Sequence, residues 1–270
     1  MASGLATTSS STATRRIAAR FDELRASKKR ALVPYITAGD PGVTETTDLL
    51  KGLEDAGADC IEVGVPFSDP MADGPVIQAS SQRALDRGVR LDAVLEMIAS
   101  AKLQTPIVLF SYLNPILAAG TDVLDRAAQA GCAGLLITDL PVGSDPAREA
   151  WLGGGPLEFV RLVAPTTPAH RMKEIGTHGS GFVYLISRLG VTGVQQSLAS
   201  DLPETMKRLR SSTTLPICVG FGVSTAEQAT AVARMADGVV IGSAIVRAAN
   251  ESVAKAVTFA REMRNAIDAA

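Results

Sequence analysis

The chain has 270 residues, of which 28 are acidic and 26 basic, so its net charge of −2 leaves no basic surplus to attract nucleic acid or an anionic membrane. Hydrophobic residues make up 46% and charged residues 20% of the sequence, a composition that excludes a disordered or fibrous chain and allows a large core. No apolar stretch approaches the roughly 20 residues that span a bilayer, so we expect a soluble protein.

The N-terminal segment is rich in serine, threonine and alanine and contains no acid. We expect residues 1–14 to form a disordered tail. An organelle transit peptide is the alternative, which the shortness of the tract and its scarcity of arginine disfavour. From Arg15 to Arg25 apolar residues recur with helical spacing, which predicts a short amphipathic helix ahead of the first strand.

Eight short apolar runs follow, with helical patterns between them. Nearly continuous apolar runs that are each followed by a helix indicate parallel strands covered by helices. Eight such units favour a closed barrel over an open sheet, so residues 15–270 are predicted to form one catalytic domain of the α/β class, a single (β/α)8 TIM barrel with an extra N-terminal helix. The predicted strands are Ala31–Thr37, Cys60–Val65, Ile107–Phe110, Gly134–Ile137, Phe159–Val163, Phe182–Ile186, Ile217–Val219 and Gly238–Ile241.

An acid, Glu62, interrupts the second predicted strand. Because strand side chains alternate, Cys60, Glu62 and Gly64 share one face, whereas the intervening aliphatic residues share the other. An acid in such a confined place is either costly or has a raised pKa, which is what general acid/base chemistry requires. Asp73 follows in a loop rich in proline and glycine that leaves the same strand end. We therefore predict two carboxylates at one barrel mouth.

The seventh and eighth predicted strands each run into glycine and then a helix start. Glycine lets a ligand approach the backbone, and the first amides of a helix are unpaired donors at the positive end of its dipole. Gly220 and Gly222 follow the seventh strand, and Gly242 and Ser243 follow the eighth. We predict a phosphate site here, with Gly193 of the sixth loop beside it. The alternative is that these glycines only form tight turns.

The cysteines and histidines suggest no metal or nucleophile chemistry. Cys60, Cys132 and Cys218 lack paired spacing and no apolar signal segment precedes them, which predicts a reducing, cytoplasmic location. His170 and His178 have neither a metal-ligand spacing nor a nucleophile beside them, so we expect surface positions near a helix start and end. No metal site is predicted.

Ordered motifs along nearly the whole chain resemble the tryptophan synthase alpha subunit family. After an N-terminal VPYITAGDP, the largest is EVGVPFSDPMADGPVIQ (Glu62–Gln78), which contains both acids. The remaining motifs are Asn114-Pro115, DLP (Asp139–Pro141), VAPTTP (Val163–Pro168), YLISRLGVTG (Tyr184–Gly193), GFGVS (Gly220–Ser224) and IGSAIV (Ile241–Val246). The resemblance implies retro-aldol cleavage of indole-3-glycerol phosphate to indole and glyceraldehyde 3-phosphate, late in tryptophan biosynthesis.

The resemblance also assigns roles to individual residues. Glu62 matches the family's acid/base and Asp73 the acid that binds the indole N–H. Tyr35, Tyr112 and Tyr184 match residues around the substrate, and Thr192 resembles the threonine that meets the loop-two aspartate when the site closes. The residues that match the phosphate cradle are Gly193, Gly220, Gly222, Gly242 and Ser243.

The family's partner is a beta subunit that carries pyridoxal phosphate, so the resemblance implies an α2β2 tetramer and no cofactor in this chain. The positions that resemble the interface are Pro66, Asp69, Asn114 and Pro141.

Three alternative functions remain open at this point. One is another phosphate-binding barrel enzyme, such as an isomerase or indole-3-glycerol phosphate synthase, although no predicted strand ends in the lysine that the synthase needs. A second is a barrel that only activates a beta subunit, which the presence of Glu62 and Asp73 disfavours. A third is a free-standing lyase that releases indole.

Overall fold

The computed structural model of the protein describes residues 15–186, 201–220 and 222–270. Within them eight parallel strands form a closed barrel in which each strand pairs with the next and the last pairs with the first. The predicted TIM barrel is therefore confirmed. The strands are β1 (Ala31–Thr37), β2 (Ile61–Gly64), β3 (Ile107–Ser111), β4 (Cys132–Ile137), β5 (Glu158–Val163), β6 (Val183–Ile186), β7 (Ile217–Gly220) and β8 (Gly238–Ile241).

Helices occupy the connections between the strands and both ends of the described chain. They are α1 (Arg16–Ala26), α2 (Val43–Asp55), α3 (Pro75–Asp86), α4 (Leu91–Ala101), α5 (Leu113–Ala118), α6 (Val123–Ala130), α7 (Pro146–Gly153), α8 (Ala169–Thr177), α9 (Leu202–Arg210), α10 (Ala226–Ala233), α11 (Ser243–Glu251) and α12 (Val253–Asp268). None of the described helices has both the length and the apolar character needed to cross a membrane.

The buried apolar residues form two large layers. Ile61, Val63 and Val65 pack in the outer layer with residues of the surrounding helices. Cys60 belongs to the inner layer, within the barrel, where it joins Val108 and other inward-facing residues. The alternation predicted for the second strand is thus confirmed, and Glu62 takes its place on the inward side. All three cysteines are buried.

The predicted N-terminal helix α1 closes one end of the barrel. Ile17 and Phe21 of this helix pack in the same cluster as the barrel interior, and the ring of Phe21 lies 5.6 Å from that of Phe182. The buried carboxylate of Glu158, at the start of β5, accepts hydrogen bonds from the backbone amides of Ile17 (2.7 Å) and Ala18 (3.1 Å). Because α1 lies at the start of the strands, their carboxyl ends form the open mouth.

Candidate active site

Glu62 lies on β2 inside the barrel and is 1% exposed. It is in register with Tyr35 of β1 and Val108 of β3, so an aromatic and an aliphatic residue flank it. Its Oε1 atom is buried without a hydrogen-bond partner in the described part of the chain. Burial raises the pKa of Glu62 from 4.5 to about 8 because the charged form loses its hydration. The side chain is therefore mostly protonated at neutral pH.

Asp73 lies in the loop between β2 and α3 and is 7% exposed. The hydroxyl of Tyr112 donates a hydrogen bond to its Oδ2 atom (3.0 Å) and accepts one from the amide of Ala72 (2.9 Å). Burial raises the pKa of Asp73 from 3.8 to about 6, and the hydrogen bond from Tyr112 opposes part of that rise. At neutral pH Asp73 is therefore mostly ionised, whereas Glu62 is not.

The two acids line one cavity of about 540 Å³, counting its open mouth. Part of the wall is apolar and aromatic: the rings of Tyr35 and Phe110 meet edge to face with centroids 5.2 Å apart, beside Ile77. An aromatic and apolar wall therefore lies next to two carboxylates with different protonation states.

Two tyrosine side chains reach the cavity because glycines on the adjacent strands leave room for them. A Cβ atom at Gly64 would overlap the hydroxyl of Tyr35, and one at Gly220 would overlap the hydroxyl of Tyr184. Tyr35 and Tyr184 both line the cavity, whereas Gly220 is not among its lining residues. The contribution of Gly220 is therefore to seat Tyr184.

The starts of α10 and α11 supply a second, polar part of the wall. At α10 the side chain of Thr225 accepts a hydrogen bond from the backbone amide of Gln228 (3.3 Å), and the side chain of Gln228 accepts one from the amide of Ser224 (2.8 Å). The start of this helix is therefore capped by its own residues. No side chain caps α11, which begins at Ser243. The first amides of α11 are thus donors that a ligand can use, and an anion is favoured there.

The structure brings most of the predicted site residues together and shows others that sequence reasoning missed. Glu62, Asp73, Tyr35 and Tyr184 line the cavity, as do the anion-site residues Gly222, Gly242 and Ser243. Tyr112 contacts Asp73. Thr192 and Gly193 lie outside the described residues. The missed lining residues are Ile77, Phe110, Val223, Ser224, Ala244 and Arg247. Arg247 could have been found from its spacing, since it lies four residues after Ser243 on the same helix.

The four predicted interface residues lie at or near the strand ends. Pro66 is buried, whereas Asp69, Asn114 and Pro141 are exposed. Pro66 and Asn114 line one groove between the loops after β2 and β3, and Asp69 lines a neighbouring one. Beside them the side chain of Met71 is 80% exposed, which leaves an apolar group at this edge of the mouth.

Histidines and metal-ligand clusters take no part in the cavity. His170 and His178 are exposed at the start and end of α8, as predicted. Among residues 15–186, 201–220 and 222–270, no group of three or more histidine, cysteine, aspartate or glutamate side chains could hold a metal ion.

Comparison with known proteins relates this chain to one family. The model of a family described as "Tryptophan synthase alpha chain" matches residues 21–268. A tryptophan synthase alpha chain from Thermosynechococcus vestitus is 46% identical over 263 residues, which cover 94% of this chain and 98% of that relative. One from Citrifermentans bemidjiense is 48% identical over 239 residues, which cover 86% and 88%.

Solved structures agree with the sequence comparison. A structure of Mycobacterium tuberculosis tryptophan synthase superposes with a TM-score of 0.87 at 34% identity, covering 94% of this chain and 98% of that one. The tryptophan synthase subunit alpha of Legionella pneumophila strain Paris gives a TM-score of 0.84 at 36% identity, with coverage of 94% and 99%.

Proposed function

The chain belongs to the tryptophan synthase alpha chain family, and from that premise we propose that Glu62 and Asp73 carry out its reaction. The protein is a carbon–carbon lyase that cleaves indole-3-glycerol phosphate to indole and glyceraldehyde 3-phosphate in tryptophan biosynthesis. The observation that carries the residue assignment is a single cavity that holds a buried, protonated glutamate beside an ionised aspartate.

Glu62 acts as the acid and then as the base. Its proton goes to carbon 3 of the indole ring, which places a positive charge on the ring. The carboxylate then takes the proton of the hydroxyl on the adjacent glycerol carbon. As that oxygen forms a carbonyl, the bond between the ring and the glycerol carbon breaks and its electron pair restores the aromatic indole. The raised pKa of Glu62 supports this role, because the proton is still present at neutral pH.

Asp73 binds the indole N–H and stabilises the positive charge that develops on the ring. Its pKa of about 6 leaves it ionised at neutral pH. A carboxylate held in a poorly hydrated site stabilises such charge more strongly than it would in water. Tyr35 and Phe110 contact the indole ring, and Tyr112 holds Asp73 in position through its hydroxyl.

The phosphate of the substrate binds at the mouth of the cavity. Gly222, Gly242 and Ser243 surround it, the uncapped start of α11 donates amide hydrogen bonds, and Gly220 acts indirectly by seating Tyr184. On the family pattern alone we also assign Gly193 to this phosphate site, and Thr192 to the substrate site as the threonine that meets the loop-two aspartate when the site closes.

A beta subunit is the partner implied by the family. We propose an α2β2 tetramer whose interface includes Pro66, Asp69, Asn114 and Pro141, and in which pyridoxal phosphate belongs to the beta subunit. No lysine is among the described residues that line the cavity. We further propose a cytoplasmic location and residues 15–270 as the catalytic domain.

Replacement of Glu62 tests the assignment. In Glu62→Gln the amide keeps the size of the side chain, but its N–H protons are too weakly acidic to be given to carbon 3, so turnover should fall by about 10² to 10⁴ with little change in substrate affinity. Steady-state indole release from indole-3-glycerol phosphate measures the effect.

Glu96→Gln is the matched control, because Glu96 is exposed on α4 and is not among the lining residues of the cavity. Its turnover should equal that of the wild type. If Glu62→Gln also turned over at the wild-type rate while circular dichroism showed both variants folded, Glu62 would have no part in the chemistry.

A further inference from the structure

Arg247 is a cation with no partner in the described chain. It lies on α11, is partly buried, and makes no hydrogen bond or ion pair with any of the residues 15–186, 201–220 and 222–270. It lines the same cavity as Glu62 and Asp73, and it is the one basic side chain among the described lining residues. A guanidinium left unpaired at the wall of a substrate cavity is available to a ligand.

Arg247 lies next to the predicted anion site at the start of α11. It follows Ser243 by four residues, so both side chains lie on the same face of α11, with Cβ atoms ~5–6 Å apart. Gly242, Ser243 and Ala244 line the cavity with it. Arg247 therefore lies one helical turn beyond the uncapped amides at the start of α11, and because helical side chains lean toward the N-terminus of their helix, one phosphate group can contact both.

The charges in the cavity give this cation a role. Asp73 is ionised at neutral pH and the phosphate of the substrate adds further negative charge, so the bound complex holds two anionic groups. Helix amides supply only partial positive charge. Arginine supplies a full charge and a planar fork of donors that matches phosphate geometry.

We propose that Arg247 binds the phosphate group of the substrate and thereby favours phosphorylated ligands over their unphosphorylated counterparts. The inference deepens the proposed function and rests on it for the identity of the substrate. Ser243 and the first amides of α11 fix where the phosphate lies, and Arg247 adds affinity through a charge-assisted hydrogen bond.

The test compares two ligands that differ only in the phosphate group, indole-3-propanol phosphate and indole-3-propanol. Isothermal titration with the full chain should show that Arg247→Gln weakens binding of the phosphorylated ligand by about 10-fold or more, as expected for loss of a hydrogen bond to a charged group. Binding of the alcohol should not change. Arg247→Lys should recover part of the affinity, because the charge remains while the fork of donors is lost.

Arg261→Gln is the control, since Arg261 is exposed on α12, has no partner among the described residues and does not line the cavity. It should bind both ligands as the wild type does. In the cleavage reaction Arg247→Gln should raise KM far more than it lowers kcat. Equal affinities of folded Arg247→Gln and wild type for the phosphorylated ligand would overturn the inference, as would an equal loss for the alcohol.

The same experiment separates failure of the inference from failure of the proposed function. If the wild type cleaves indole-3-glycerol phosphate and Arg247→Gln has an unchanged KM, only the inference fails. If the wild type binds the phosphorylated ligand through Arg247 but cleaves no indole-3-glycerol phosphate, the proposed function fails and the phosphate contact stands.

Discussion

Glu62 and Asp73 are chemically similar side chains that the fold places in different surroundings. Glu62 projects from a strand into the barrel, where Oε1 meets no donor in the described chain, so desolvation dominates its pKa. Asp73 lies on a loop and receives a hydrogen bond from Tyr112, which offsets part of the same effect. Pairs of acids whose surroundings separate their pKa values can act as acid and as charge stabiliser at one pH.

Tyr112→Phe tests how far the hydroxyl of Tyr112 lowers the pKa of Asp73. The variant removes a hydrogen bond that favours the ionised carboxylate and leaves the amide of Ala72 without its acceptor. The pKa of Asp73 should therefore rise above about 6, and the low-pH limb of kcat/KM should move to higher pH. At neutral pH we expect a loss of roughly 10-fold, the value of a hydrogen bond to a charged group.

The pH profile of kcat/KM for wild type and variant gives the measurement. The phosphate of the substrate titrates in the same range, but it titrates equally with both proteins, so only the displacement between the two curves reports on Asp73. Superimposable curves would show that Tyr112 does not set the ionisation of Asp73.

Some of these residues were predictable from the sequence and others were not. Strand alternation is a local rule, and it grouped Glu62 with Cys60 on one face, which the barrel turns inward. The contact between Tyr112 and Asp73 joins residues 39 positions apart, and no local pattern predicts it. Arg247 was overlooked because a helical arginine is usually solvated, although its spacing of four residues from Ser243 places both on one helix face, which borders the cavity.

For individual strands too, local sequence patterns predict some bounds, whereas others depend on contacts with the neighbouring strand. β1 has the predicted bounds, whereas β4 begins at Cys132 and not at the predicted Gly134. The register between β3 and β4 shifts there: Ile107 pairs with Cys132 but Val108 pairs with Gly134. One extra residue on β4 is a bulge, which a pattern of alternating side chains cannot predict.

The side chain of Tyr184 on β6 packs closely against Gly220 on β7, and this contact predicts that substitutions at the two positions can compensate for each other. In Gly220→Ala the new Cβ would overlap the Tyr184 hydroxyl and lie 2.9 Å from Cβ of Val240. Tyr184 must then move, with a cost of ~1–3 kcal/mol and reduced catalysis. Adding Tyr184→Phe removes the nearest clashing atom and should restore part of the stability lost in the single variant.

Urea unfolding and indole release across the four members of this double-mutant cycle measure the coupling. Gly153→Ala is the control, since its new Cβ would lie 3.7 Å from the nearest neighbouring atom, an ordinary contact. Strictly additive effects of Gly220→Ala and Tyr184→Phe would contradict a direct contact between these two positions.

The two ends of the whole barrel serve different purposes. At the closed end α1 fills the interior, and buried Asp59 accepts hydrogen bonds from Arg20 (2.6 Å), Arg264 (2.8 Å) and the amide of Leu32 (2.8 Å). These contacts join α1, α12 and β1, and they stabilise the fold. The open end has a buried glutamate whose Oε1 atom has no hydrogen-bond partner in the described chain, which a stability argument does not explain.

Apolar strand-like runs that alternate with helical patterns predicted this architecture, because the barrel is built from a strand–helix unit repeated eight times. The assembly of one site from β1, β2, the loop after β2, β3, β6 and the starts of α10 and α11 is a property of barrel closure. The family resemblance could name several of these residues in advance. It could not show that Glu62 and Asp73 differ in protonation, which depends on the burial and contacts of each group.

The pH dependence of cleavage tests that difference most directly. The folded pKa of Glu62 is raised from 4.5 to about 8, so its reactive proton is present below pH 8 and is lost as the pH rises through that value. We predict that kcat/KM for indole-3-glycerol phosphate, which reports the free enzyme, falls tenfold per pH unit above about 8 while circular dichroism remains unchanged. A value of kcat/KM that stays constant or rises from pH 7 to pH 10 would contradict a protonated Glu62 as the acid of this reaction.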